Sequence, residues 1–211
     1  MAISRLNLGT TNQVLVKAAA GQTTNLLELQ NSSGTVVAGL NQNGVWSGTA
    51  EPGLVLLNTT SFSAVASQSV NDVFSATYLS YLILVDYSGT IDGSGVGMRL
   101  RVSGSDATTN YNLQDNTING TGVTASRATG GSAWDIHLAG NATRNLANIV
   151  LSSPFETRTT TGFATGSSCF STIMQRNYYM NNTNATSYTG FTLTPGGGTI
   201  TGSVSVYGYN K

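Results

Sequence analysis

Few side chains in this sequence have both the type and the spacing that chemistry needs. His137 is the only histidine, and Asp135 stands two residues before it. On a strand that spacing puts both on one face, where a carboxylate can hold an imidazole for a nearby serine. No G-x-S-x-G elbow accompanies the pair, so a polar strand face is expected instead. Cys169 is the single cysteine, which excludes an internal disulfide and a zinc site built on several thiolates. No basic cluster flanks it to lower its pKa, and it reads as a small buried apolar group. Asp86-Tyr-Ser-Gly-Thr-Ile-Asp92 alternates oxygen-bearing side chains as a calcium loop does. An EF-hand loop wants Gly at its sixth position and Glu at its twelfth. Ile91 and Gly97 stand there, so a polar hairpin loop is expected. Gly93, Gly95 and Gly97 have the composition of a phosphate loop but lead into a strand, without the helix N-terminus that binds an anion. The nine acidic residues show no pairing of the kind glycoside hydrolysis requires. The residues therefore predict no catalytic site, no metal, no cofactor and no enzymatic activity.

The composition narrows the partners. Lys and Arg number nine, as do Asp and Glu, and only 9% of residues are charged, against about 25% in an ordinary soluble domain. Polarity is carried by neutral groups: 30 Thr, 24 Ser, 20 Asn and 25 Gly make up nearly half of the 211 residues. Zero net charge without a Lys/Arg run argues against nucleic acid. No apolar run reaches the roughly 18 residues of a membrane span, and the start, MAISRLNLGT, lacks the apolar core of a secretory signal. The Asn-X-Ser/Thr sequons, at Asn31, Asn58, Asn119, Asn141, Asn181 and Asn184, follow from composition.

The elements that must carry these residues are strands. Thr, Val, Tyr and Ile favour extended backbone, while Gly, Asn and Ser supply turns. In residues 1–50, three short apolar runs at 26–30, 35–38 and 44–46 are separated by Asn31-Ser-Ser-Gly34 and Asn41-Gln-Asn-Gly44. Asn and Gly between apolar runs signal hairpins, because both tolerate positive φ. Strands of four or five residues cannot stand alone in water, so this segment must lean on another surface. Residues 47–53, with Pro52-Gly53, read as a linker. From Leu54 onward, period-two alternation recurs: Met98, Leu100 and Val102 against Arg99 and Arg101, and Trp134, Ile136 and Leu138 against Asp135 and His137. At the end, Ile200, Val204 and Val206 oppose Thr201, Ser203 and Ser205. The expectation is an all-β chain: a short N-terminal β-hairpin segment over 1–50, then an antiparallel β-sandwich or jelly roll of eight or nine strands over 51–211. Residues 86–97, 120–132 and 162–168 are expected as loops.

Several segments resemble known sequences. Leu26-Leu-Glu-Leu-Gln-Asn-Ser-Ser-Gly-Thr-Val-Val-Ala-Gly-Leu-Asn-Gln-Asn-Gly-Val is similar to a segment common in tailed-phage virion appendage proteins, although Asn41-Gln42 stands where an acidic residue is commoner. Tyr188 to Tyr209 resembles the closing strands of small phage structural proteins. Phe74-Ser-Ala-Thr-Tyr78-Leu-Ser-Tyr81 and Arg99-Leu-Arg101 are similar to their interior elements. The matched pieces cover about half of the chain.

That resemblance implies a homotrimer with an N-terminal attachment part and a C-terminal jelly-roll head, located on the outer surface of a virion and made in the host cytoplasm. The first expectation is a capsid decoration, or cement, protein seated on the major capsid protein, since a short chain suits a knob. The second is a short tail fibre or receptor-binding tip, joined to a tail or baseplate protein, whose residues 120–132 and 177–187 contact host glycans. Asn177-Tyr-Tyr-Met-Asn-Asn-Thr-Asn184 carries the aromatics and amides that sugars require.

Overall fold

A computed structural model describes residues 19–21, 23–48, 53–91, 93–139, 144–170 and 172–210. The chain divides into two compact units, Met1–Glu51 and Pro52–Lys211. The described residues contain no helix, and hence none long and apolar enough to cross a membrane.

The first unit contains an antiparallel sheet of β1 (Leu27–Gln30), β2 (Val36–Leu40) and β3 (Trp46–Gly48). Its two turns are built alike. Asn31 Oδ1 accepts from the N–H groups of Ser33 and Thr35, both at 3.0 Å, and the Gly34 N–H returns to the Asn31 carbonyl at 3.0 Å. Ten residues later, Asn41 Oδ1 accepts from Asn43 and Val45, both at 2.9 Å, and Gly44 returns to the Asn41 carbonyl at 3.0 Å. Each turn closes on a glycine with φ of +84° or +78°, a conformation that costs any side chain roughly 1 kcal/mol or more. The asparagine side chain thus replaces the backbone partner a turn lacks.

The second unit is an antiparallel β-sandwich. Its strands are β4 (Leu54–Val65), β5 (Gln68–Val70), β6 (Ser80–Gly89), β7 (Ser94–Val102), β8 (Ser105–Asp106), β9 (Tyr111–Asn119), β10 (Gly122–Gly131), β11 (Trp134–Ala139), β12 (Asn145–Ser152), β13 (Thr160–Phe170), β14 (Thr172–Asn182), β15 (Gly190–Pro195) and β16 (Ile200–Tyr209). One sheet has eight strands in the order β10-β9-β14-β13-β12-β6-β16-β4. The other runs β11-β7-β15-β5, with β8 beside β7. Tyr81, Ile83 and Val85 of β6, Ile149 and Leu151 of β12, and Val204 and Val206 of β16 face inward from the large sheet. Met98, Leu100, Trp134, Ile136, Phe191 and Leu193 meet them from the small one, and all are buried.

The expected alternation of the last strand is present, and its glycines are steric requirements. A Cβ on Gly202 would stand 2.1 Å from the Asp86 carbonyl oxygen and 2.7 Å from Tyr87 Cα, and one on Gly208 would stand 2.5 Å from the Tyr78 ring. Neighbouring tyrosines therefore approach the backbone where a side chain would block them.

Three expected loops are strands instead. Residues 86–97 belong mostly to β6 and β7, residues 120–132 contain β10, and residues 162–168 lie inside β13. These segments are rich in Gly and Ser, which favour turns. Pairing along full ladders, β10 on β9 and β13 on both β12 and β14, overrides that preference. Among the described residues the second unit has thirteen strands, beyond the eight or nine read from the sequence.

Candidate functional site

The structure separates the residues singled out in the sequence. Asp135 and His137 both lie on β11, but a bulge intervenes: Asp135 opposes Gly97 and His137 opposes Val96. The His137 imidazole lies outside the described residues, as does the Cys169 side chain. The Asp135 carboxylate turns to Arg176 on β14, with Nη1 3.4 Å from Oδ2. Asp86 sits within β6 and pairs with Arg144, whose Nε lies 3.0 Å from Oδ1. Asp86 thus lies in a strand and not in the polar hairpin loop expected there, and Asp92 lies outside the described residues. Among the described residues no cluster of three His, Cys, Asp or Glu is placed to hold a metal.

One cluster of charges is largely buried: Asp115 and Arg176 are interior, and Asp135 joins them from a partly exposed position. Arg176 donates from Nη2 to Asp115 Oδ2 at 2.8 Å and from Nη1 toward Asp135, so one guanidinium spans the two sheets. Its carbon lies 5.1 Å from the centre of the Tyr178 ring. The Ser126 hydroxyl also donates to Asp115. Burial pushes the Asp115 carboxyl up, but hydrogen bonds from Ser126, Arg176 and Thr117 and the Arg176 charge together outweigh it and hold it below the ordinary carboxylate range. For Arg176, burial is the largest influence and works against the charge, but the Asp115 hydrogen bond and the charges of Tyr178, Asp135 and Asp115 together outweigh it and strengthen the charge. Desolvation raises the Tyr87 and Tyr178 phenols, with the Asp135 charge adding to it. Two carboxylates on one arginine thus form a clamp joining β9, β14 and β11.

The accessible features lie on the two outer faces. On the small sheet, Asp135, Gly97 and Thr194 stand opposite one another on β11, β7 and β15. They line a groove of about 420 Å³ together with Gly95, Arg99 and Gly196. Arg99 is anchored by its Nε, which donates to the Ser132 carbonyl at 3.0 Å.

On the large sheet, the registers align one transverse row across all eight strands: Leu56, Tyr207, Leu82, Val150, Phe163, Tyr179, Gln114 and Arg127. Its apolar part spans six strands, about 24 Å at the usual strand spacing. Phe163 and Tyr179 are exposed near its far end. Tyr178 and Tyr179, adjacent in sequence, diverge completely: the first is 0% exposed and the second 64%. The expected pair of surface aromatics is therefore one buried ring and one surface ring. Beside Tyr179 lies a pocket of about 260 Å³ lined by Asn112, Gln114, Arg127 and Asn181. Its amides were not legible as a group, because they come from strands far apart in sequence. The signal that could have found them is the alternation Asn112, Gln114, Asn116 against Asn177, Tyr179, Asn181, once the two strands are paired in this register.

No family model matches the chain, no curated protein matches it, and no solved structure matches it.

Proposed function

We propose that the protein is a structural component of a tailed-phage virion, a homotrimeric capsid decoration protein whose N-terminal unit attaches while the sandwich forms the exposed head. One observation carries this reading: among the described residues, the sheet of the N-terminal unit has an apolar face whose large side chains are exposed. The registers Leu27–Leu40–Trp46 and Leu29–Ala38 place these side chains together. Leu27, Leu29 and Trp46 are exposed, Trp46 by 62%. Three strands of three to five residues gain little stability from such an arrangement. Burying that face against other copies or a shell supplies the missing core at roughly 25 cal/mol per Å².

The sparse charge of the chain supports the same reading, since contacts built from neutral groups depend little on salt. The alternative location, a short tail fibre, is favoured by the aromatic and amide surface around Tyr179. Quantifying the protein in purified virions tests the proposal. Decoration predicts a copy number comparable to that of the major shell protein, and a fibre predicts one comparable to tail components. Absence from particles overturns both.

A further inference from the structure

We infer that the pocket beside Tyr179 is a carbohydrate site, taking one pyranose ring of a glycan laid across the outer face of the large sheet. The inference deepens the surface that favours the tail location. It is tested on purified protein, so it can fail while the virion assignment stands.

The amides of the pocket are fixed in orientation by backbone groups. The Gly130 N–H donates to Asn112 Oδ1 at 3.0 Å, which forces Asn112 Nδ2 to be the donor to Asn181 Oδ1 at 2.8 Å. Gln114 Nε2 donates to the Ser126 carbonyl at 3.0 Å. Asn181 Nδ2 and Gln114 Oε1 are thereby left as a donor and an acceptor lining the pocket, with the exposed Arg127 guanidinium adding further donors. A sugar hydroxyl both donates and accepts, so adjacent ring hydroxyls match such a set. The Tyr179 ring supplies the apolar counterpart, an exposed aromatic surface for the C–H face of a pyranose.

Size and charge select against other occupants. About 260 Å³ is below the 300–1,000 Å³ typical of drug-sized ligands and suits a single ring. One cation is too little for a nucleic acid backbone. No carboxylate lines the pocket to attract a metal ion. The apolar row leading away through Phe163 and Val150 provides a track for further sugar units.

Saturation-transfer NMR on the full chain with glucose, galactose, N-acetylglucosamine and glucuronate tests the site. Ring protons of at least one sugar are expected to show transfer. Tyr179→Ala is expected to weaken that binding at least tenfold and Arg127→Ala to weaken it less. Tyr209→Ala, at another exposed aromatic, is expected to leave it unchanged. Because Tyr179 is a surface residue, an unchanged circular dichroism spectrum will show that the variant folds. Asn181→Leu, which removes the pocket donor, is a second variant expected to lose binding. Transfer from none of the four sugars, or transfer unchanged in Tyr179→Ala and Asn181→Leu, overturns the inference.

Discussion

The two units of this chain use the same local chemistry and reach opposite ends with it. Both are antiparallel sheets with glycine-closed turns. The sandwich folds its apolar faces onto each other, so Trp134, Tyr81 and Val204 lose contact with water. The N-terminal sheet presents Leu27, Leu29 and Trp46 on one face, and among the described residues of its unit no second layer covers them. A domain needs two packed layers around a core. The sandwich contains both layers, and the described residues of the N-terminal unit contain one. The difference motivates the proposed attachment role: the head buries its core within one chain, whereas the described N-terminal sheet leaves Leu27, Leu29 and Trp46 exposed.

The completeness of the head makes the strongest prediction. Val204→Asp buries an unpaired charge and is expected to cost about 4 kcal/mol of head stability by denaturant unfolding. Ser203→Asp, on the outer face opposite Asp86, is expected to cost about 0.5 kcal/mol from the like charge alone. Equal costs would show that this strand is covered on both sides.

The ionic clamp gives the next effect. Asp115→Ala leaves Arg176 with the longer Asp135 ion pair and the Tyr178 ring, and a loss of about 3 kcal/mol is expected. Because the folded carboxyl is held below its unfolded value, it stabilises the protein above the ordinary aspartate pKa of about 3.9. That contribution is lost as pH falls through the lower folded value. Asp115→Asn is therefore expected to flatten the fall in stability on the acid side, measured by thermal melts across that range.

Glycines separate fold from surface at the smallest scale. Gly202→Ala forces a Cβ into backbone atoms and is expected to cost about 3 kcal/mol. Gly97 has negative φ and would place a Cβ no closer than 3.5 Å to any neighbour. Gly97→Ala is expected to raise stability by a few tenths of a kcal/mol, through the unfolded chain, when both variants are compared by the same melt.

Much of this was legible in the residues and some was not. Met98, Leu100 and Val102 alternate with arginines, and that pattern directly places β7 with its apolar face inward. The Asn31 and Asn41 turns were readable because asparagine and glycine have few other reasons to recur at that spacing. Gly122–Gly131 and Thr160–Phe170 were not readable as strands, since their extended form comes from partners distant in sequence. The same cause hid the Tyr179 pocket: Asn112, Arg127 and Asn181 meet only through strand register. The Asp115–Arg176–Asp135 clamp joins three strands and has no local signature.

Sedimentation equilibrium of the full chain beside Trp46→Asp tests the contrast between the two units most directly. The account predicts a trimer for the natural sequence and dissociation toward monomer for Trp46→Asp, with the melting temperature of the head unchanged. A natural chain that remains monomeric at high concentration, or a Trp46→Asp trimer as stable as the natural one, would contradict it.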